Sequence, residues 1–290
     1  MSERSNQPGI SRRQFAVFAA ASAAGLNAQT KAQFPIGLQQ TAVGRNIQQD
    51  LNGTLRAVAK MGYDLIEFSA GLFMNWTPTQ AREVRALLDE INLKCRSTHN
   101  EIVSFSGDGL SKSIELNQIL GSDTLVSVRG PGGLAARGGT PSAPAPLDAW
   151  KRFSEQLSQA AVRIRSAKMT LGFHNHGIEF QPVEGTRPID ILAANQDITS
   201  FHLNIGLCLQ AGGDPIAFIQ KCRGRIQSLL VQDYKGQARW KEIFSAAEGT
   251  GGLQFYLLQR TDGLFLVERE GNDLLDFAQK DLQYFRQLHG

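Results

Sequence analysis

Short apolar runs alternate with longer amphipathic runs from residue 36 onwards. The short runs are rich in β-branched and aromatic residues, whereas the longer runs place apolar residues three and four positions apart, as one face of a helix does. Buried parallel strands read as continuous apolar runs and need a long crossover to the next strand. The pattern therefore predicts repeated strand-helix units. Eight candidate strands begin near Ile36, Leu65, Cys95, Thr124, Thr170, Phe201, Ser228 and Phe255.

Eight strand-helix units in one chain favour a closed barrel over an open sheet. We therefore predict an α/β fold, a single (β/α)8 or TIM barrel that spans residues 35–290. The last unit has two interpretations, because a second β-like run lies at residues 264–268 and ends in Glu268.

Two sequence signals predict where helices begin. The sequence TPTQ at residues 77–80 offers a capping Thr, a Pro at the first helical position and a Gln three residues after the cap. Asp214 followed by Pro215 offers a similar start. Between the fourth and fifth strands, residues 130–146 are dominated by Gly, Pro, Ala and Ser. This composition predicts a mobile loop over the barrel mouth.

Composition narrows the functional classes. A chain of 290 residues with 42% hydrophobic and 20% charged residues is typical of a soluble protein with one large core. The net charge of +3 is too balanced for a protein that binds the phosphate backbone of nucleic acid. Cys95, Cys208 and Cys222 show no metal-binding spacing, so we expect unpaired buried thiols, with one disulfide as the alternative.

Residues 1–34 predict an export signal and linker that precede the barrel. Arg12 and Arg13 stand before an apolar stretch that continues to Leu26 without an acidic residue. This order is similar to a twin-arginine signal, which addresses a folded protein to an export translocase. The stretch is shorter than the ~20 residues that span a bilayer, so we expect a cleaved signal without stable membrane insertion. The protein is then periplasmic or otherwise exported.

Functional groups in TIM barrels lie where strands run into the following loops, at the barrel mouth. Polar residues at the ends of the predicted strands are therefore the candidates for chemistry. They are Glu67, His99, His174, Asn175, His176, Glu179, Asn204, Asp233 and Gln259. By contrast, His202 stands near the start of its strand, which predicts a structural role at the opposite end of the barrel.

The sequence FHNHGIEF at residues 173–180 carries a family resemblance. It resembles the aromatic-HNH-x-x-E-F signature of the sugar phosphate isomerase/epimerase-like, or xylose isomerase-like, TIM barrel family. Further segments similar to this family follow the same order, at residues 53–68, 93–99, 211–219 and 239–244. The chain looks like an export-signalled bacterial member of the family.

The resemblance implies a carbohydrate isomerase or epimerase with one divalent ion at the barrel mouth. In the family, carboxylates and a histidine from the last four strands hold this ion, and acidic side chains transfer a proton beside the sugar carbonyl. Glu179 is the one charged ligand retained. Asn204, Leu230 and Gln259 stand where the family has Asp, His and Glu, so the metal site is degenerate. We therefore expect no cofactor, or a weakly bound Mn, Mg, Zn or Co ion at Glu179.

These positions lead to specific role assignments. The expected catalytic residues are Glu179, His176 and His174, and His176 is the first choice for the general acid or base. The expected substrate-binding residues are Glu67, His99, Asn204 and Gln259. A structural hydrogen bond between Glu67 and His99 is an equally open interpretation. The implied partner is a small-molecule carbohydrate, and homo-oligomers are common in the family.

Two other functions remain open at this point. The loss of three ligand positions favours a catalytically silent periplasmic barrel that binds a sugar or polyol, or that partners an active relative. A zinc-dependent endonuclease of the abasic-site repair type fits less well. That chemistry uses a histidine-rich site, whereas this chain has five histidines in total and a balanced charge.

Overall fold

A computed structural model describes residues 34–131, 145–259 and 274–289 of the chain. Eight parallel strands form a closed barrel in which each strand pairs with the next along the chain, and the eighth pairs with the first. The predicted TIM barrel is thus confirmed. The strands are β1 Ile36–Gln39, β2 Leu65–Ser69, β3 Ser97–Asn100, β4 Thr124–Ser127, β5 Thr170–His174, β6 Ser200–Asn204, β7 Ile226–Val231 and β8 Phe255–Leu258.

Helices cross between consecutive strands on the outside of the barrel, as parallel pairing requires. The described α-helices are Gly44–Gln49, Leu51–Met61, Ala70–Phe73, Pro78–Glu90, Gly107–Leu120, Leu147–Ser166, Pro188–Ala194, Ile205–Gln210, Pro215–Lys221, Trp240–Glu248 and Leu274–His289. Short 3-10 helices span Gln40–Val43, Ile102–Phe105 and Ile178–Phe180.

The predicted helix starts agree with the structure. The Thr77 side chain accepts a hydrogen bond from the Gln80 backbone N–H, and the Gln80 side chain accepts one from the Thr77 N–H. This reciprocal pair satisfies two N–H groups that have no partner within the helix. At Pro215–Lys221, the Asp214 carboxylate accepts hydrogen bonds from two backbone N–H groups of the first turn.

The strand boundaries differ slightly from the sequence prediction. β3 begins at Ser97, two residues after the predicted start, because Lys94 forms only an isolated bridge to β2. β7 begins at Ile226, two residues before the predicted start. The first of the two interpretations of the last unit is correct, since Phe255–Leu258 closes the barrel between β7 and β1.

An apolar cluster fills part of the barrel interior. Its members are Leu65, Leu230, Phe255 and Leu257. Leu65 precedes Glu67 by two residues in β2, so the two side chains share one face of the strand. Gly37 of β1 pairs with Leu65, and a Cβ atom there would lie 2.8 Å from the Leu257 side chain. The apolar part of the interior is therefore packed around this glycine. Along β2, the polar part of the interior begins at Glu67.

Several predictions concern residues outside the described ranges. These are the export signal and linker at residues 1–34, of which only residue 34 is described, most of the loop at residues 130–146, and the run that ends in Glu268. Within the described ranges, no helix combines the length and apolar character needed to cross a bilayer. All three cysteines are buried free thiols, as the first of the two interpretations predicted.

Candidate functional site

Glu67 lies at the centre of a buried polar cluster inside the barrel. It is the third residue of β2 and is 1% exposed. Its Oε2 atom lies 2.8 Å from His99 Nε2, and its Oε1 atom lies 3.4 Å from His202 Nδ1. The donor atoms of these three residues all lie within 4.8 Å of one another, so they form a group of candidate metal ligands. Ser97 also donates a hydrogen bond to Oε1.

The Glu67 carboxyl is held in its charged form by its neighbours. Burial raises its pKa, but the charge of His99 and the contacts with both imidazoles more than offset this effect. The result is a pKa well below the ordinary value of a glutamate. A buried carboxylate is stable only when partners of this kind surround it.

His202 is a functional candidate that sequence reasoning placed wrongly. It is not at the far end of the barrel but in the middle of β6, opposite His174 in the strand register. It is fully buried and faces Glu67 across the interior. Asn204 stands two residues further along the same strand, and this spacing could have indicated that the two side chains share a face.

Three histidines connect the cluster with the end of β5. The ring centroids of His99 and His174 are 4.6 Å apart, and those of His174 and His176 are 5.0 Å apart. Burial, followed by the charges of neighbouring histidines, holds the pKa of His174 well below its ordinary value. Burial, followed by the charges of His99 and Arg129, lowers the pKa of His176 to about 3. Both imidazoles are therefore neutral at physiological pH.

Glu179 lies just beyond the end of β5, in the 3-10 helix Ile178–Phe180. The side chain is 1% exposed and accepts a hydrogen bond of 2.7 Å from the His176 backbone N–H. Burial raises the pKa of Glu179 to about 7, although backbone hydrogen bonds partly oppose this rise. Among the described residues, no Lys, Arg or His forms an ion pair with it. Its acid and base forms thus coexist near neutral pH.

The variant Glu179→Gln is expected to remove a pH-dependent cost to folding. As the pH rises from 4.5 to about 7, this carboxyl ionises in the unfolded chain but remains protonated in the folded chain. The native state then binds more protons, so stability falls across this window by roughly 3 kcal/mol. Gln cannot ionise. The unfolding free energy of the variant relative to wild type should therefore rise by up to about 3 kcal/mol between acidic and mildly alkaline buffer.

Urea denaturation of both proteins at the two ends of this pH window measures the difference. A difference that does not change with pH would show that Glu179 is solvated or ion-paired, contrary to its buried position.

Two asparagines join the ends of β5 and β6. The Asn175 side chain accepts a hydrogen bond from the Asn204 backbone N–H and donates one to the Asn204 carbonyl. The Asn204 side chain donates to Gln232 Oε1 and accepts from the Leu207 N–H, where it caps the next helix. Asn204, a predicted substrate contact, is therefore also a structural residue that holds the ends of β5 and β6 and the next helix together.

Gln259 is joined to the polar cluster through two intermediate residues. Its side chain donates a hydrogen bond of 3.0 Å to Thr41 Oγ1. Thr41 in turn donates from its backbone N–H and its hydroxyl to Gln39 Oε1. The Gln39 amide nitrogen lies 3.4 Å from His99 Nδ1. The structure therefore brings Gln259, His99, Glu67, His174 and His176 into one continuous series of contacts.

The comparisons with known proteins decide the family. A family model described as "Xylose isomerase-like TIM barrel" matches residues 55–213, which is more than half of the chain. The protein belongs to this family. A search of curated proteins found no match.

Several solved structures share the fold at low sequence identity. A sugar phosphate isomerase/epimerase from Parabacteroides distasonis is 19% identical with a TM-score of 0.69, and the alignment covers 89% of this chain and 95% of that one. D-psicose 3-epimerase from Clostridium cellulolyticum is 15% identical with a TM-score of 0.62, at 88% and 99% coverage. A family 2 AP endonuclease from Brucella melitensis is 13% identical with a TM-score of 0.62, at 88% and 99% coverage.

The candidate metal ligands differ from those that the xylose isomerase-like resemblance implied. Glu67 and His99 come from β2 and β3, outside the last four strands that carry the expected ligands, and His202 lies on β6 two residues before the expected position, Asn204. Glu179 does not belong to this group of ligands. The Leu230 side chain packs in the apolar cluster and has no donor atom for a metal.

Proposed function

We propose that this protein is a carbohydrate isomerase that moves a proton between adjacent carbons of a sugar or keto-sugar. The observation that carries the proposal is Glu179, a buried carboxyl without a cationic partner among the described residues, which accepts a hydrogen bond from the backbone N–H of His176. A general base works best when its pKa is close to the operating pH. Glu179 meets this condition, and His176, our first choice from the sequence, does not because its pKa is too low.

The neutral histidines have a complementary role in this proposal. His174 and His176 each have a buried Nδ1 atom without a hydrogen-bond partner among the described residues. A neutral imidazole can donate a hydrogen bond to a carbonyl oxygen without holding a full positive charge, as in triosephosphate isomerase. We assign His174 and His176 to the sugar carbonyl, where this bond stabilises the negative charge that develops on the oxygen.

The number of titratable groups favours isomerisation over epimerisation. In the isomerisation, the hydroxyl proton of the carbon beside the carbonyl passes to the carbonyl oxygen, relayed by a neutral imidazole of His174 or His176. The Glu179 carboxylate removes a proton from that carbon, which gives an enediolate, and the resulting carboxylic acid returns this proton to the former carbonyl carbon. One group on one face of the sugar completes this transfer. Inversion at a single carbon needs a second acid on the opposite face, and Gln259 cannot supply a proton of that kind.

The test is proton exchange with a panel of five- and six-carbon aldoses, ketoses and keto-sugars in D2O. The expected result is deuterium at the carbon next to the carbonyl, followed by NMR, together with the aldose-ketose partner of the active sugar. An epimer as the main product would contradict the assignment of a single base. The absence of exchange with every sugar would reject the catalytic proposal.

A non-catalytic sugar-binding barrel is the second candidate function. The observation that favours it is the replacement of three expected ligand positions, with Leu230 packed in the apolar cluster. This candidate predicts that a sugar or polyol raises the melting temperature without any exchange of deuterium. A ligand that binds only the native state stabilises it in this way.

We also propose that the reaction takes place outside the cytoplasm, on the basis of Arg12 and Arg13. Arg12→Lys combined with Arg13→Lys is expected to leave the full chain in the cytoplasmic fraction of a host with a twin-arginine translocase. Arg4→Lys, outside the pair, is the control and should not change the location. Immunoblots of cell fractions give the measurement, and unchanged export of the double variant would contradict the proposal.

A further inference from the structure

We propose that Glu67, His99 and His202 form a binding site for a divalent transition metal, with Zn²⁺ as the preferred ion. The site lies inside the barrel and goes beyond the proposed function, since neither Glu179 nor His176 belongs to it. Its donor atoms are a carboxylate oxygen, Nε2 of His99 and Nδ1 of His202.

The spacing of the donors fits a metal centre with small adjustments. Zinc binds imidazole nitrogen and carboxylate oxygen at about 2.0–2.2 Å in tetrahedral geometry, which places neighbouring donors roughly 3.5 Å apart. The closest Glu67 atoms are 2.8 Å from His99 and 3.4 Å from His202, and all three donors lie within 4.8 Å of one another. Small rotations of the side chains therefore suffice to surround an ion.

The three donor atoms also lack well-formed hydrogen bonds, which is unusual for buried polar atoms. Glu67 Oε2, His99 Nε2 and His202 Nδ1 are all buried, and the contacts between Glu67 and the two histidines, at 2.8 and 3.4 Å, miss hydrogen-bond geometry. Unsatisfied buried polar atoms are costly and rare in native proteins. Here three of them converge on one point, where a single positive ion would satisfy all three.

The tautomer of His202 strengthens this argument. Gln227 donates through its amide nitrogen to Thr124 and Gln254, so its Oε1 atom faces His202 Nε2 at 3.2 Å. Nε2 must then carry the hydrogen, which leaves a lone pair on Nδ1. That lone pair faces a carboxylate oxygen of Glu67 at 3.4 Å. A metal ion between these two electron-rich atoms would satisfy both of them.

His99 requires one rearrangement before it can bind a metal. The Gln39 amide nitrogen faces Nδ1 of His99 at 3.4 Å, which favours a hydrogen on Nε2, the donor atom of the proposed site. Metal binding therefore requires the hydrogen to move to Nδ1 and the Gln39 amide to turn its oxygen towards it. Ligating histidines usually donate their second N–H to such an acceptor.

The ligand set selects the class of ion. Two imidazoles and one carboxylate form a set that zinc uses in catalytic sites, with the fourth position left for water or substrate. Mg²⁺ prefers oxygen ligands in octahedral geometry, and this cluster offers only one such residue. The site therefore differs in its ligand residues from the site at Glu179 that the family resemblance implied.

The experiment measures the metal content and affinity of the full chain after removal of metal with a chelator. We expect one Zn²⁺ per chain by elemental analysis and calorimetry, a higher melting temperature in Zn²⁺, and no comparable effect of Mg²⁺. Bound Co²⁺ should show the intense visible absorption of a four-coordinate ion. These readouts do not depend on catalysis, so failure here is distinguishable from failure of the proposed isomerase activity.

Two histidine variants locate the site. His202→Gln should abolish stoichiometric Zn²⁺ binding. The matched control is His289→Gln, because His289 also lies beside a glutamate, 2.7 Å from Glu248, but on the C-terminal helix. Zn²⁺ binding that survives in His202→Gln would overturn the proposal. The absence of Zn²⁺ binding to the wild type would also overturn it.

A variant at Gln39, a buried neighbour of His99, gives an independent test. Gln39→Glu retains the acceptor for Thr41 and offers a carboxylate oxygen to His99 Nδ1 without any turn of an amide. We expect Zn²⁺ to bind about ten-fold more tightly, the lower end of the effect of such outer partners. If His202→Gln does not fold, the Zn²⁺ affinity of Gln39→Glu tests the site instead. An unchanged or weaker affinity of Gln39→Glu for Zn²⁺ would reject the site.

Discussion

Glu67→Ala is expected to lower the free energy of unfolding by on the order of 3–5 kcal/mol, the cost of removing one partner from a buried charged cluster. The substitution leaves polar atoms of Ser97, His99 and His202 without their common partner in the barrel interior. It also leaves a cavity that packed neighbours can fill only in part. Urea denaturation in a buffer with chelator measures the effect without a contribution from metal.

A matched control uses the same chemical change at the surface. Glu101 lies 3.2 Å from Arg129, but both side chains are well exposed to solvent. Exposed ion pairs of this kind contribute about 0.2–1 kcal/mol, so Glu101→Ala should have a small effect. Glu67→Gln keeps the shape of the side chain and should fall between the two. Equal denaturation midpoints for Glu67→Ala and Glu101→Ala would show that the cluster does not stabilise the barrel.

The barrel could be predicted from the sequence because its elements follow from local rules. Buried parallel strands produce short apolar runs, and crossover helices separate them, so the count of eight does not depend on any tertiary contact. The start of the helix at Pro78 follows from Thr77 and Gln80 alone. The strand ends were less accurate, since pairing with neighbours decides them. β7 extends to Ile226 because it pairs there with Phe201.

The candidate site could be predicted only in part, because it depends on which strands face each other. Glu67 and His99 were identified as polar residues at strand ends, and a contact between them was one of two interpretations. His202 was missed because its strand was taken to begin at Phe201, whereas the strand begins at Ser200 and a shift in register with β7 follows. Its contact with Glu67 joins β6 to β2 across the barrel, and no local pattern in the sequence encodes that approach.

The roles of Glu179 and His176 also depended on the structure. Both residues are recognisable in the sequence, but burial decides which of them can exchange a proton near neutral pH. The same loss of solvent raises the pKa of the acid and lowers that of the imidazole, because burial disfavours each charged form. The structure therefore favours the carboxyl as the base, whereas the sequence favoured the imidazole.

Glu179→Gln is expected to lower kcat for the active sugar by roughly 100- to 10,000-fold, the usual contribution of a general base. Gln keeps the size of the side chain, and its oxygen can still accept the hydrogen bond from the His176 backbone N–H. Substrate binding should therefore change little, so KM should stay close to the wild-type value. Steady-state kinetics at saturating and limiting sugar separate the two parameters.

Glu184→Gln is the matched control, because Glu184 lies five residues further along and is exposed to solvent. Its kcat and KM should both equal those of the wild type. A Glu179→Gln protein with normal kcat and a raised KM would mean that Glu179 binds the sugar in its ground state and transfers no proton. The base would then have to be sought elsewhere, and the low pKa of His176 makes it a poor replacement at neutral pH. The ratio of the two parameters therefore tests the assignment of the base directly.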